Sequence, residues 1–310
     1  MYRVETYPDS IQLLGPDGAM AEIIPGCGAL LNRFSVPVQG RAVDVIDAFA
    51  NAAAVPEQIK PAFQSAKLSP FVCRIRESRY RYRDVEYLLN KFALNGSAIH
   101  GLLFDEPFRL AASEAGPDEA MVELSFSYRG SDPGYPFFFD CLVRYTLHGP
   151  NLTLETEILN RDKRTLPLAD GWHPYFTLGK PIDELELQFH GREMLEFENL
   201  IPTGRKVPYA HFQQFERIGA TELDNAFQLD SSYISAACVL RDPSTGIQIE
   251  ITPDASYPVL QIYTPPHRRS IAIENLSGAP DNFNNGIGLI ELAPAGTQSF
   301  STMFTVREIR

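Results

Sequence analysis

Apolar and polar residues alternate along much of the chain, and the recurring period is that of an extended strand rather than a helix. Stretches of this kind, rich in β-branched and aromatic residues, fall at 122–128, 137–147, 152–160, 185–189, 247–252, 260–264, 270–274 and 299–306. A segment that buries one face and wets the other predicts antiparallel sheet. Between these stretches stand AGPDE, SDPGY, HGPN, RDPSTG and APAGT, whose Gly, Pro and Asp supply tight reversals. The segment HGPNLTLETEILN reads as a hairpin. Helical periodicity is scarce, and the one stretch that carries it, 47–65, is interrupted by Pro56 and Pro61, which predicts short peripheral pieces. The expected class is all-β, a large antiparallel sandwich of sheets with minor short helices. No repeat period, low-complexity tract or polar linker divides residues 1–310, so a single domain is expected.

Composition narrows the partners. A chain of 310 residues, 44% of them hydrophobic, can bury a sizeable core. Against 27 Lys and Arg stand 39 Asp and Glu, a formal charge of −12, which repels nucleic-acid phosphates and anionic membranes alike. No segment approaches the roughly 20 apolar residues of a membrane span, and MYRVETYPDS lacks the basic and apolar regions of a secretory leader. A cytoplasmic location is expected. Cys27, Cys73, Cys141 and Cys238 lie far apart with no CxxC pair, which predicts free thiols in a reducing compartment.

Six positions carry candidate chemistry. His100 in NGSAIHGLLF and His173 in DGWHPYFTLG sit beside Gly and large apolar groups, as pocket walls do, although a lone histidine so placed is more often a satisfied core residue. Glu274 ends the apolar strand SIAIE, where a carboxylate is costly to bury unless paired or used as a base; taken alone it reads as a rim ion pair. Arg74 opens a run with Arg76, Arg79, Arg81 and Arg83, a pattern usually found on the solvated face of a strand. Asp224 and Gln261 read equally well as a turn cap and a strand-surface residue. GxGxxG, GxxxxGK[ST], GxSxG and HExxH are all absent, which removes the familiar nucleotide, hydrolase and metalloprotease readings. No ligand cluster suggests a metal, and no cofactor is expected.

Taken in order, these segments resemble the aldose 1-epimerase family, the galactose mutarotases, from about residue 68 to the C-terminus. Arg74-Ile75, then Tyr80 and the closing EYLL, is similar to the family's Asn-Arg-Ile and the short strand after it. His100-Gly101 resembles the first family histidine, and WHPYFTL around His173 resembles His-x-Tyr-Phe-x-Leu, the most diagnostic string in the chain. Asp224 in LDNAF, Gln261 in LQIYT, Glu274 at the head of a Glu-x-x-x-x-Pro-Asp-like segment, and the ending APAGTQSFSTMFTV complete the series. Cys73 stands where many members have Asn, Leu102 where a second Gly is common, and NLSGAPDNFNN is an unusual version of the Glu segment; these departures bear on substrate choice.

The resemblance implies a β-supersandwich with its site in a cleft on the concave sheet face, and an isomerase that interconverts the α and β anomers of a hexose. It implies Glu274 as base at the C1 hydroxyl and His173 as acid at the ring oxygen, with Arg74, His100 and Asp224 on sugar hydroxyls or developing charge and Gln261 orienting near the base. Neither step needs a metal or cofactor. Trp172 or Phe283 would offer the ring an apolar face or else belong to the core. Three alternatives stay open: a hexose 6-phosphate substrate met by Arg76, Arg79, Arg81 or another nearby base, a non-catalytic sugar-binding protein, and a glycosidase or lyase, for which no second carboxylate stands convincingly opposite Glu274. The expected partner is a small sugar, with the protein a monomer or homodimer.

Overall fold

The computed structural model describes residues 1–230 and 235–309, at position 192 the backbone alone. Two large antiparallel sheets dominate it. One has nine strands, in the order Arg109–Ala115, Ala120–Arg129, Phe138–His148, Asn151–Asn160, Thr297–Glu308, Ile247–Pro253, Cys238–Asp242, Glu186–Phe189 and Glu216–Arg217. The other has eight, running from Ile201–Pro208 through Gly191–Glu198, Asp224–Leu229, Val259–Tyr263, Ile271–Leu276 and Gly171–His173 to Ala66–Leu68, with Tyr175–Phe176 also paired to Ile271–Leu276. An N-terminal sheet of five strands spans Arg3–Thr6 to Arg41–Asp44.

Strands hold 52% of the residues and helices 6%, so the all-β expectation stands. Each strand-like stretch found in the sequence lies within or across one strand of the two large sheets. The 47–65 stretch yields a single 3-10 turn, Ala52–Ala54, and the four-residue helix Val55–Gln58, as its prolines dictate.

Alternation along the strands sorts side chains into two apolar layers. Between the sheets, Trp172 meets Tyr145 at 6.0 Å and Phe176 meets Phe304 at 5.1 Å, while Asn275 Nδ2 donates to Thr302 Oγ1 at 2.9 Å. Ile271, Ile273, Leu260, Ile262 and Phe227 join this layer. Leu276, Val259 and Ala226, on the opposite face of the eight-stranded sheet, pack instead with Val55, Ile59, Phe63, Ile99 and Phe104. Because neighbours on a strand point to opposite faces, Glu274, Gln261 and His173 are turned to this second side.

Among the described residues, the Lys67–Asp170 ion pair lies wholly inside the sandwich. Lys67 Nζ sits 2.5 Å from Asp170 Oδ1 and donates to Thr156 Oγ1 at 2.8 Å, with the Trp172 ring centroid 4.2 Å away. The Tyr257 hydroxyl donates to the same Asp170 oxygen at 2.7 Å. Burial lowers the Lys67 pKa and raises that of Asp170, and their mutual attraction opposes both shifts.

Candidate active site

The strand register fixes the floor of the site. Gln261 lies opposite Glu274 and Ala226 opposite Gln261, while Asp224 pairs with Tyr263 two positions along. Gly171 faces Leu276 and Tyr175 faces Ala272, which aligns the intervening His173 with Glu274. His173 Nε2 is 3.4 Å from Glu274 Oε1, and Gln261 Nε2 donates to Asp224 Oδ1 at 2.9 Å.

Arg74 and His100 reach the same space from the small sheet of Ala93–Leu94, Ser97–Ile99 and Arg74–Ile75, in which Ile99 pairs with Arg74. The His100 amide donates to the Cys73 carbonyl at 2.7 Å, and His100 itself has φ of 61°. Gly101 follows at φ 79°, and a Cβ there would lie 2.4 Å from the Ser69 carbonyl oxygen, so the close approach that turns His100 into the cleft requires glycine. Asp281 of the NLSGAPD segment pins the arginine: its amide donates to the Arg74 carbonyl at 2.6 Å, and its carboxylate accepts from the Arg76 amide at 2.9 Å.

All six candidate residues, Arg74, His100, His173, Asp224, Gln261 and Glu274, line one cavity of about 560 Å³, within the usual range of small-molecule sites. Glu274, Gln261, His173 and His100 are buried, neither on a rim nor on a solvated strand face. Their polar atoms are poorly served by protein: among the described residues Glu274 Oε2, Gln261 Oε1 and His100 Nδ1 have no hydrogen-bond partner, and His173 Nδ1 has none in another residue. Buried polar groups without partners, converging on a cavity, fit a ligand rich in hydroxyls.

Burial also sets the protonation of the floor. It depresses the His173 pKa to about 4 and His100 well below its ordinary value, the latter helped by His173 and Arg74. It raises Glu274 well above the usual carboxylate range, and the Asp224 charge adds to this. Asp224 is itself raised by burial, with Arg74 and Gln261 opposing. At 3.4 Å His173 and Glu274 are near enough to form an ion pair, yet burial disfavours both charged forms. Burial therefore favours a carboxylic acid beside a neutral imidazole.

Other expected contacts lie elsewhere. Trp172 and Phe283 are absent from the cavity wall: alternation sends Trp172 between the sheets, and Phe283 packs among Phe71, Tyr80 and Tyr135. Arg76, Arg79 and Arg81 also lie off the wall, with Arg79 and Arg81 paired to Glu86 and Asp84 on an exposed hairpin. Conversely, Asp47, Gln64, Tyr175, Tyr263, His267 and Arg269 line the cavity and carried no separate signal, apart from Tyr175 inside the WHPYFTL string and Tyr263 inside LQIYT. Among the described residues no group of three or more His, Cys, Asp or Glu is placed to hold a metal ion, and no helix is long and apolar enough to cross a membrane.

The family model described as aldose 1-epimerase matches residues 9–305. The uncharacterized protein YihR of Escherichia coli (strain K12) is 28% identical over 248 residues, covering 76% of this chain and 77% of that protein. A galactose mutarotase-like protein from Clostridium acetobutylicum superimposes with a TM-score of 0.87 at 16% identity, covering 100% of this chain and 99% of the other. Galactose 1-epimerase from Lactobacillus acidophilus gives 0.83 at 17% identity, with 100% and 99% covered. The GalM/aldose epimerase homologue of C. elegans gives 0.85 at 19%, with 96% and 98% covered. At such identities the structures show a shared sandwich fold.

Proposed function

Because the chain belongs to the aldose 1-epimerase family, we propose that it interconverts the α and β anomers of a hexose by acid–base ring opening and reclosure. The observation that carries this reading is the buried His173–Glu274 pair, 3.4 Å apart at the floor of a cavity edged with unpartnered polar atoms.

The anomeric hydroxyl and the ring oxygen are bonded to the same carbon, so the base and acid that serve them must converge closely, as these two groups do. In the forward step the Glu274 carboxylate takes the proton of the C1 hydroxyl, and the His173 imidazolium gives one to the ring oxygen. The C1 to O5 bond breaks and C1 becomes an aldehyde carbon. Rotation about the C1 to C2 bond and the reverse transfers on the other face complete the exchange. The same environment assists both transfers: a raised carboxylate is the stronger base, and a depressed imidazolium the stronger acid. Opening leaves Glu274 protonated and His173 neutral, the pair that burial favours. One proton serves the pair throughout, and none need come from solvent. Arg74, Asp224 and His100 hold hydroxyls or meet charge developing on oxygen, and Gln261 orients near the base.

The test is polarimetry of freshly dissolved α-D-glucose and α-D-galactose with and without protein. Accelerated decay of rotation supports the reading. Saturable sugar binding without acceleration would replace it with a non-catalytic sugar-binding role.

A hexose carrying a phosphate is the second reading, favoured by one observation. Arg269 and His267 line the cavity, and neither has an ion-pair partner among the described residues. Arg268 between them, by contrast, is paired with Asp183. NMR exchange on glucose 6-phosphate and on glucose, with the native protein and Arg269→Gln, separates the two readings. A preference for the phosphate ester that Arg269→Gln abolishes selects the second.

A further inference from the structure

The imidazole of His173 is walled by rings, and its only hydrogen bond through Nδ1 is to its own backbone. A catalytic histidine is usually oriented through its second nitrogen, which donates to a carboxylate or a carbonyl. Here Nδ1 meets no other residue among those described, only its own backbone, and Nε2 faces Glu274. Tyr175 stands two residues on, its ring parallel to the imidazole with centroids 5.1 Å apart and planes at 12°. His100 meets the imidazole edge-on at 4.9 Å and 88°, and is itself backed by Phe63 at 4.7 Å. The phenol is fixed in turn, since its hydroxyl donates to the Ala62 carbonyl at 3.1 Å and the side chain is buried.

We propose that Tyr175 is the positioning residue of the proposed acid, its ring setting the plane of the His173 imidazole and stabilising the imidazolium by face-on contact. This rests on the anomer-exchange reading for its consequence in turnover, though not for its consequence in titration. A ring face attracts a cation, most strongly where water is excluded, and so opposes the depression that burial imposes on His173. The tyrosine can serve this way because its own phenol stays neutral: burial, then Glu274 and Tyr263, push it upward. The titratable groups in contact with the imidazole are Glu274, His100 and Tyr175, and Asp47, Cys73, Arg74, Asp224, Tyr263, His267 and Arg269 line the rest of the same cavity.

The sign follows. Removing the ring leaves the imidazolium less stabilised, so the His173 pKa falls further and the acid is available at lower pH. Tyr175→Phe keeps the face and loses the hydroxyl anchor, whereas Tyr175→Leu loses both. The experiment follows the His173 imidazole nitrogens by NMR through an acid titration of the sugar-free protein, alongside kcat, KM and their pH profiles. Tyr175→Phe should leave the His173 midpoint in place and reduce kcat by less than about threefold, the loss of one anchoring hydrogen bond. Tyr175→Leu should lower the midpoint by about one unit and kcat by about tenfold or more at neutral pH, with KM changed little. An unmoved midpoint in Tyr175→Leu, or a loss carried entirely by KM as for a sugar-stacking platform, overturns the proposal. Should Tyr175→Leu fail to fold, Tyr175→Met makes the same comparison. The sugar-free titration remains decisive even if the native protein does not accelerate anomer exchange.

Discussion

At the scale of single residues, Glu274 and His173 give up hydration for a place at the bottom of the cleft, and that cost is measurable apart from activity. The unfolded chain ionises Glu274 above its ordinary pKa, while burial holds the folded form to its proton. The folded state thus binds more protons above that value, and the residue's contribution to stability declines as pH rises. His173 has the opposite slope: its depressed pKa leaves the unfolded state binding more protons between about 4 and the ordinary histidine value, so acid destabilises through it. Glu274→Gln should therefore be more stable than the native protein at alkaline pH by about 1 kcal/mol, with the gain fading near pH 4, as read from urea midpoints. In polarimetry, Glu274→Gln and His173→Asn should each lose about 10²–10⁴-fold in anomer exchange while remaining folded by circular dichroism. Near-native turnover in either purified variant would remove these roles. His173 and Glu274 were legible because each sits in a recognisable string. His267 and Arg269 were not, because loop residues follow no period and reach the cavity through folding alone, and Asp47 and Gln64 lay in a stretch whose helical period points to no site.

Among the elements, the strand Gly171–His173 and its neighbour Ala66–Leu68 are tied to the nine-stranded sheet by Lys67 and Asp170. Lys67→Met strands a buried carboxylate and should cost about 3–5 kcal/mol, whereas Lys67→Met with Asp170→Leu should recover most of that loss. Equal destabilisation of the single and double variants in urea unfolding would show that packing around Trp172, rather than charge, is at stake. The same element-level view explains which strands announced themselves. Those that form the inter-sheet layer alternate cleanly, as Phe138–His148 does with every second residue buried. Arg3–Thr6 has no fully buried residue, and Ile201–Pro208 is largely exposed, charged and interrupted by Gly204, so neither displays a period to read. Leu30–Val38 hides its strand character behind the buried Asn32 and a proline at position 37.

Across the whole molecule, the apolar layer between the sheets runs from Tyr2 to Val306, and all four thiols are buried. Burial pushes Cys27 up to about 12 and raises Cys73, Cys141 and Cys238 as well, so thiolate is scarce in the folded state. A thiol reagent added without denaturant should label Cys27, Cys141 and Cys238 slowly, at a rate limited by opening, while Cys73 lines the cavity and is best replaced by Ser for this measurement. A hexose at about 100 times its dissociation constant should slow opening-limited labelling about 100-fold. Rapid labelling that sugar leaves untouched would mean that a thiol is reached through local motion instead.

The alternation that turns Glu274 to the cleft and Asn275 toward Thr302 also governs which changes of length this gene can survive. One codon gained or lost within Ile271–Leu276 exchanges the two faces, sending the carboxylate into the sandwich and an amide into the cavity. The turn at 264–269, which carries His267 and Arg269, has no such parity to keep and is held instead by Arg268, which bonds Asp183 and the Gly219 carbonyl. Descendants of this chain can exchange His267 and Arg269 on that turn around the anchored Arg268, while the strand beside it passes on its residue count unchanged.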